Sequence, residues 1–120
     1  MNVQQCYDAM HGDYAEVISR LRTDERVAKF LKRVPSDGNY EILCDAMKSG
    51  NANDALRAAH TIKGICLNLS LTALQKSSSA LTEALRGKAS IEADIEPLFE
   101  ALKSDYETTV EAIKNLDAIQ

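Results

Sequence analysis

Residues 51–69, NANDALRAAHTIKGICLNL, decide the fold because their apolar side chains recur at helical spacing. At about 100° per residue, one set of small and apolar side chains falls within roughly 90° of arc. Asn51 or Asn53 is placed to cap the start of this helix, and the pattern ends near Leu69. The stretch therefore predicts an amphipathic helix with one buried side. The buried set is Ala55, Ala59, Ile62, Cys66 and Leu69.

The opposite side of this helix carries a cluster centred on His60. By the same angular count, His60 lies roughly 140° from the middle of the apolar stripe, so its imidazole is predicted to be exposed. Lys63 and Gly64 are its i+3 and i+4 neighbours and therefore lie beside it. Leu56 and Leu67 flank the same face. One exposed surface is thus expected to hold an imidazole, a cation, bare backbone and two apolar side chains.

The rest of the chain also favours helices. Only five glycines and two prolines occur among 120 residues, too few for the many tight turns of a sheet protein. Asp13 and Thr23 are placed as N-caps, Pro35 ends one segment, and Pro97 falls in the first turns of the last one. Besides the helix around His60, helical segments are predicted at about residues 3–10, 13–21, 23–34, 39–48, 72–86 and 92–116.

Several of these segments show which side they bury. The segment at about residues 23–34 is expected to bury Val27, Phe30, Leu31 and Val34. The segment at about residues 72–86 has Leu74, Ser77, Ser78, Leu81 and Leu85 on one stripe. The last helix marks its buried side less regularly, with Leu98, Ala101, Leu102, Asp105, Val110, Ile113 and Leu116. We therefore expect one all-α domain over residues 1–120. Residues 37–117 would form an up-and-down antiparallel four-helix bundle, and residues 1–35 short N-terminal covering helices.

Composition excludes several classes of function. The net charge is −4 and the pI is about 5.1, and no basic stripe stands out, so nucleic acid and anionic membranes are poor partners. The longest apolar runs fall far short of the roughly 20 residues of a membrane span, and residues 1–5 show no signal-peptide pattern. Cys6, Cys44 and Cys66 favour buried thiols in a reducing cytoplasm. The expectation is a cytoplasmic monomer.

The residues around His60 suit phosphoryl chemistry. Histidine titrates across the physiological range, so a large fraction of exposed imidazoles is neutral and nucleophilic. A lysine one turn away can neutralise the oxygens of a phosphoryl group on the ring. A mid-helix glycine costs about 1 kcal/mol relative to alanine, which suggests a purpose at Gly64. That purpose is either close approach of a partner or tight packing against a neighbouring helix.

The run AAHTIKG at 58–64, followed by Asn68 and Leu69, resembles the signature of histidine-containing phosphotransfer (HPt) domains. The family pattern is His-x-hydrophobic-Lys-Gly, on a helix that ends with a hydrophobic residue and a glycine. The resemblance covers about residues 37–117. Cys6-Tyr7 and Gly12-Asp13-Tyr14 are similar to the N-terminal part of small free-standing bacterial members.

The resemblance implies a role for each matching residue. His60 would be the phosphoacceptor, Lys63 the cation that stabilises the phosphate, and Gly64 the small residue under the docking partner, with Leu56 and Leu67 in the binding surface. The partner would be a response-regulator receiver domain or a sensor histidine kinase. Mg²⁺ would be held by the receiver, and this chain would need no cofactor or metal of its own. It would carry phosphate without turnover of its own.

Two positions depart from the family pattern. Ser70 stands where the pattern has its terminal glycine, so the turn into the next helix is expected to differ. Many members carry a glutamine or glutamate on the facing helix near the imidazole, and the matching position here is expected to be Thr82. A threonine hydroxyl would orient the ring more weakly, which bears on the stability of the phosphorylated state.

Other functions stay open at this point. The domain could accept phosphate directly from a separate ATP-binding kinase module, a role that a facing glutamate would favour. It could instead be a non-catalytic helical interaction module, or a family member that has lost its relay activity. A di-metal four-helix enzyme is excluded, because neither His11 nor His60 has a Glu three residues before it. His11 itself is expected to be a capping or surface residue, and Cys44 and Cys66 to be packed.

Overall fold

Helices account for all the regular secondary structure in the computed structural model, which describes residues 1–117. This confirms the all-α prediction. Two 3-10 turns, Val34–Ser36 and Ala93–Ile95, each precede one of the long helices. The α-helices are α1 (Val3–Met10), α2 (Tyr14–Leu21), α3 (Asp24–Leu31), α4 (Asn39–Ser49), α5 (Ala52–Leu69), α6 (Thr72–Leu85) and α7 (Glu96–Lys114).

Short polar side chains begin the helices as N-caps. The Asn51 side chain accepts a hydrogen bond from the N–H of Asp54 and fixes the start of α5. Asp13 and Thr23 cap α2 and α3 in the same way. Each cap satisfies one of the first four N–H groups of its helix, which have no acceptor within the helix. The start of α5, and with it the register of His60, is therefore set locally.

The four longest helices pack in sequence order. α5 lies against both α4 and α6, and α6 lies against α7. Only residues 50–51 and 70–71 connect the two pairs that include α5, so these neighbours run antiparallel. Tyr40 of α4 stacks on Tyr106 of α7, with ring centroids 3.7 Å apart, and joins the first of these helices to the last. The arrangement agrees with the predicted bundle, while α1 packs on α7 and α3 on α5.

Two helix ends and one buried face differ from expectation. α3 ends at Leu31, and Pro35 lies in the 3-10 turn that follows it. α7 begins at Glu96, with Pro97 in its first turn, where the missing N–H has no helical acceptor to lose. The prediction that Phe30 is buried was wrong, because its side chain is 38% exposed. Val27 and Leu31 occupy the core from this short helix, and Phe30 lies at its edge.

The N-terminal helices bind the C-terminal end of α5. The carbonyl oxygens of residues 67–70 all accept hydrogen bonds from residues of the N-terminal segment. The Arg20 guanidinium donates to the first two at 3.1 and 2.6 Å, and the Tyr7 hydroxyl to the third at 2.7 Å. The backbone N–H of Asp13 donates to the fourth at 2.9 Å. Carbonyls at a helix end lack partners within the helix, so the N-terminal segment supplies them.

Ser70 ends α5 in a left-handed backbone conformation, with φ of 54° and ψ of 42°. This is the region that glycine adopts at least cost. The Ser70 hydroxyl donates to a carboxylate oxygen of Glu16 at 2.7 Å and accepts from Arg20 at 3.2 Å. The serine therefore takes the backbone conformation that the family's glycine favours, and it adds a part-buried polar contact to α2.

Candidate functional site

His60 lies in the middle of α5 and is exposed, as predicted. Within residues 1–117, no hydrogen bond or ion pair holds its imidazole. The opposite side of the same helix is buried at Ala55, Ala59 and Ile62, which fixes the rotation of α5 about its axis. A firmly packed helix therefore presents a freely accessible ring to solvent.

Lys63 and Gly64 flank His60 on the next turn of α5. The Lys63 side chain is half-buried, and Gly64 is exposed. A Cβ atom added to Gly64 would find no other atom within 4 Å. Packing between helices therefore does not require glycine at this position. Its effect is to leave a strip of bare backbone beside the imidazole.

The two flanking leucines differ in exposure. Leu67 is 49% exposed and lies two turns beyond His60. Leu56 is half-buried and packs against the edge of the core. Of the predicted apolar pair, Leu67 therefore offers the larger contact area to a partner.

Thr82 does not lie at the surface beside the imidazole. Its side chain is fully buried, and its hydroxyl donates to the Ser78 carbonyl oxygen at 2.7 Å. That prediction was wrong because Thr82 falls four residues after Ser78, on the stripe that α6 buries. The apolar spacing of α6 was the signal that could have shown this.

The next residue, Glu83, is the exposed acid that α6 directs toward the site. Arg86 donates to both Glu83 carboxylate oxygens, at 3.3 and 3.0 Å. This hydrogen bonding from Arg86 lowers the pKa of Glu83, and the charges of Lys63 and His60 act in the same direction. The Glu83 carboxylate is therefore within electrostatic reach of both functional side chains of α5. It follows Thr82 by one residue, which is about 100° of helix rotation.

The described part of the chain offers little for other classes of function. Within residues 1–117, no group of three or more His, Cys, Asp or Glu side chains is placed to hold a metal ion. No helix among the same residues is both long and apolar enough to cross a membrane. His11 is the left-handed C-cap of α1, a place that matches the expected capping role.

Comparison with protein families gives one match. A family model described as Hpt domain matches residues 26–115, which is 90 of the 120 residues. The matched region begins in α3 and contains α4 to α7 with the whole His60 surface. Neither the comparison with curated proteins nor that with solved structures finds a match.

Proposed function

This chain belongs to the Hpt domain family, and on that premise we propose that it is a phosphorelay intermediate whose phosphoacceptor is His60. Hpt domains are phosphotransfer modules of two-component signalling that interact with receiver domains and histidine kinases. The observation that carries the assignment is the exposed His60 imidazole on a packed helix, with Lys63 and the bare backbone of Gly64 one turn away. A partner can reach the ring without displacing any side chain of Gly64.

The proposed reaction is in-line transfer from an aspartyl phosphate of a receiver. The unprotonated ring nitrogen of His60 attacks phosphorus, an N–P bond forms, and the P–O bond to the aspartate breaks. The aspartate leaves as a carboxylate, and the second ring nitrogen keeps its proton. Transfer onward to another receiver is the reverse of this step. Such reactions depend mainly on positioning and on charge stabilisation.

Lys63 and Glu83 have complementary roles in this proposal. Lys63 offsets the negative charge of the phosphoryl group on the ring. Glu83, held by Arg86, is available to accept a hydrogen bond from the protonated ring nitrogen and so orient the imidazole. The support for this role is the electrostatic influence of His60 on the Glu83 carboxylate.

The test is transfer from a receiver that carries labelled aspartyl phosphate. We expect an acid-labile, base-stable label on the wild-type chain and none on His60→Gln. His11→Gln is the matched control, because it removes the other histidine of the chain, which is also exposed, and should keep the label. Circular dichroism separates lost chemistry from a lost fold.

Two results would overturn the proposal. A label that survives in His60→Gln would assign the acceptor elsewhere. A wild-type chain that binds receivers but never takes phosphate from them would indicate an interaction module instead.

A second function, direct phosphorylation by a histidine kinase, is favoured by one observation. Glu83 is an acid within electrostatic reach of His60. A glutamate facing the histidine is the residue that would favour direct phosphorylation by a kinase. Incubation with ATP and a kinase module that lacks a receiver tests it. Label on the wild-type chain and none on His60→Gln would show that a kinase can be the donor, and a weaker label on Glu83→Gln would show that Glu83 serves this reaction.

A further inference from the structure

A pocket of about 270 Å³ lies between α3, the 3-10 turn Val34–Ser36 and α5, and we call it the α3–α5 pocket. Ligand pockets for drug-sized molecules usually span about 300–1,000 Å³, so this pocket suits a somewhat smaller molecule. Its walls are mainly apolar. The residues that form these walls are Leu21, Phe30, Val34, Ile65 and Leu69.

Two residues of opposite charge also line the α3–α5 pocket. Among residues 1–117, Arg33 and Asp37 are the charged members of the lining. They flank the 3-10 turn Val34–Ser36, with Arg33 directly before it and Asp37 directly after it. Pro35 lies within that turn, and its ring fixes the backbone angle φ at that position. The turn therefore holds the two charged residues at a set spacing beside the pocket.

These two charges do not neutralise each other. In the described part of the chain, neither Arg33 nor Asp37 takes part in an ion pair. The Arg33 guanidinium instead lies 5.1 Å from the centroid of the Phe30 ring. The Oδ1 atom of Asp37 accepts hydrogen bonds from the backbone and the side chain of Asn39, whereas Oδ2 has no partner among the same residues. Each charge is therefore free to interact with a molecule in the pocket.

The remaining polar residue of the lining is Asn68, near the end of α5. Its backbone carbonyl accepts a hydrogen bond from Arg20 at 2.6 Å, which holds this end of the helix in place. Its side-chain amide makes no hydrogen bond within residues 1–117, and an amide can both donate and accept. An apolar pocket with a few convergent polar groups is the usual composition of a site for a small molecule.

The charges near the pocket do not favour a ligand of one sign. Residues 26–33 contain four basic side chains and no acidic one. On the acidic side, burial raises the pKa of Tyr106, and the nearby charges of Glu41 and Asp37 raise it further. A carboxylate alone would be attracted by Arg33 and repelled by Asp37, and an ammonium group alone would meet the reverse. A small molecule that carries both groups can satisfy both residues.

We propose that the α3–α5 pocket binds a free α-amino acid with a branched aliphatic side chain, such as leucine. Arg33 would bind the α-carboxylate, which matches the geometry of its guanidinium group, and Asp37 would bind the α-ammonium group. The side chain would lie against the apolar walls, which are aliphatic except at Phe30. The proposal does not depend on the function of His60, because binding requires no phosphoryl group.

The test titrates the full chain with leucine and with three analogues that each lack one feature of it. Leucinamide lacks the carboxylate, 4-methylpentanoate lacks the ammonium group, and glycine lacks the side chain. Nuclear magnetic resonance follows the methyl signals of Ile65 and Leu69, with those of Leu67 as the reference, because Leu67 is exposed and lies outside the lining. We expect leucine to shift the Ile65 and Leu69 signals with a Kd on the order of 1 mM. Each analogue should bind about tenfold more weakly.

Two variants assign the charged groups. Arg33→Gln should weaken the binding of leucine about tenfold but leave leucinamide unchanged, because leucinamide has no carboxylate to lose. Asp37→Asn should weaken leucine to a similar extent but should not weaken 4-methylpentanoate, which has no ammonium group. Arg26→Gln and Asp45→Asn are the matched controls, because both residues are exposed and lie outside the lining, and they should bind leucine normally. Thermal melting of each variant without ligand checks the fold.

Several results would overturn this proposal and leave the proposed function of His60 untouched. One is a set of Ile65 and Leu69 signals that leucine does not move at about 10 mM. Equal affinities for leucine and 4-methylpentanoate would indicate a site for simple carboxylates instead. Losses in the control variants as large as those in the pocket variants would contradict the roles of Arg33 and Asp37. A dimer in sedimentation, with pocket signals that shift as the chain is concentrated without ligand, would place a second copy there.

Discussion

The proposed reactivity of His60 depends on neighbours one turn away along α5 rather than on a cluster of buried side chains. Its ring is exposed, Lys63 lies beside it, and the Gly64 position offers open space above the backbone. Exposed groups gain little from the low dielectric of a protein interior until a partner covers them. The full effect of Lys63 on the phosphoryl group is therefore expected only in the docked complex, where water is excluded.

Lys63→Ala should slow transfer to His60 from a receiver about tenfold, equivalent to about 1.4 kcal/mol of activation free energy. The physical reason is the loss of a cation next to three phosphoryl oxygens. Single-turnover kinetics with a labelled receiver measure the rate. Lys76→Ala, which removes an exposed lysine from α6, is the control and should transfer normally. Equal rates in the two variants would contradict a phosphate-side role for Lys63.

Gly64→Gln should change stability and transfer in opposite directions. Glutamine has the higher helix propensity and meets open space, so the free energy of unfolding should rise by about 0.5 kcal/mol. The added side chain should obstruct the receiver and reduce transfer strongly, while phosphoramidate still labels His60. Urea unfolding and the two labelling assays measure these effects. Normal receiver transfer would show that the bare backbone has no part in docking.

Two buried thiols should make the fold sensitive to high pH. Burial raises the pKa of Cys66 from 9.0 to about 12 and that of Cys6 to about 11. Unfolded thiols ionise near the ordinary value, so above pH 9 the unfolded state binds fewer protons than the native state does. The contribution of these two thiols to the free energy of unfolding should thus be constant well below pH 9 and become destabilising as the pH rises toward 11 and 12.

Thiol reagents provide a direct check at neutral pH. Cys44 is only half-buried and should react in the native protein, whereas Cys6 and Cys66 should react only on unfolding. A Cys44→Ser variant should therefore show no fast phase. Rapid modification of Cys66 in the native state would contradict its burial.

Among the elements, the turn from α5 to α6 depends most on distant parts of the chain. Ser70 holds a left-handed conformation, and Tyr7, Arg20 and Asp13 satisfy the carbonyls around it. A non-glycine residue in this region persists only where surrounding contacts determine it. Here those contacts come from α1, α2 and the residues between them.

Gly12→Ala should destabilise this junction. A Cβ atom at Gly12 would lie 2.7 Å from Cδ2 of Tyr7 and 3.0 Å from the Ser70 carbonyl oxygen. Such overpacking typically costs about 1–3 kcal/mol, which thermal melting would detect as a lower Tm. Gly64→Ala is the matched control and should be neutral or stabilising, because its Cβ meets nothing. An unchanged Tm in Gly12→Ala would mean that Tyr7 can move aside freely.

The helices and the exposure of His60 could be predicted because both follow from local spacing. The stripe of α5 and the cap at Asn51 fix which way His60 faces. The identity of the acid opposite it could not be fixed equally well, because a shift of one residue along α6 exchanges buried Thr82 for exposed Glu83. Phe30 was missed for another reason. Its helical spacing fits a core position, but its exposure depends on how α3 meets α5.

Across the molecule, the acidic side chains are densest in the C-terminal part of the chain. Residues 92–111 contain seven acidic side chains and one lysine, and most of these residues form α7. α7 packs against α1 and α6, whereas α3, which carries part of the basic run of residues 26–33, packs against α1 and α5. The net charge of −4 therefore conceals an uneven distribution.

The bonds from the N-terminal segment to residues 67–70 limit how this protein can be re-engineered. In a chimaera, α4 to α7 of this protein would follow the N-terminal segment of another protein. The carbonyl groups of residues 67–70, at the end of the helix that carries His60, would then lose the hydrogen bonds that Tyr7, Asp13 and Arg20 donate to them. Because those groups would then need new donors, the first 23 residues and the His60 helix have to be exchanged as a single cassette. Shuffling libraries built from relatives should therefore place no crossover between residue 23 and the end of α5.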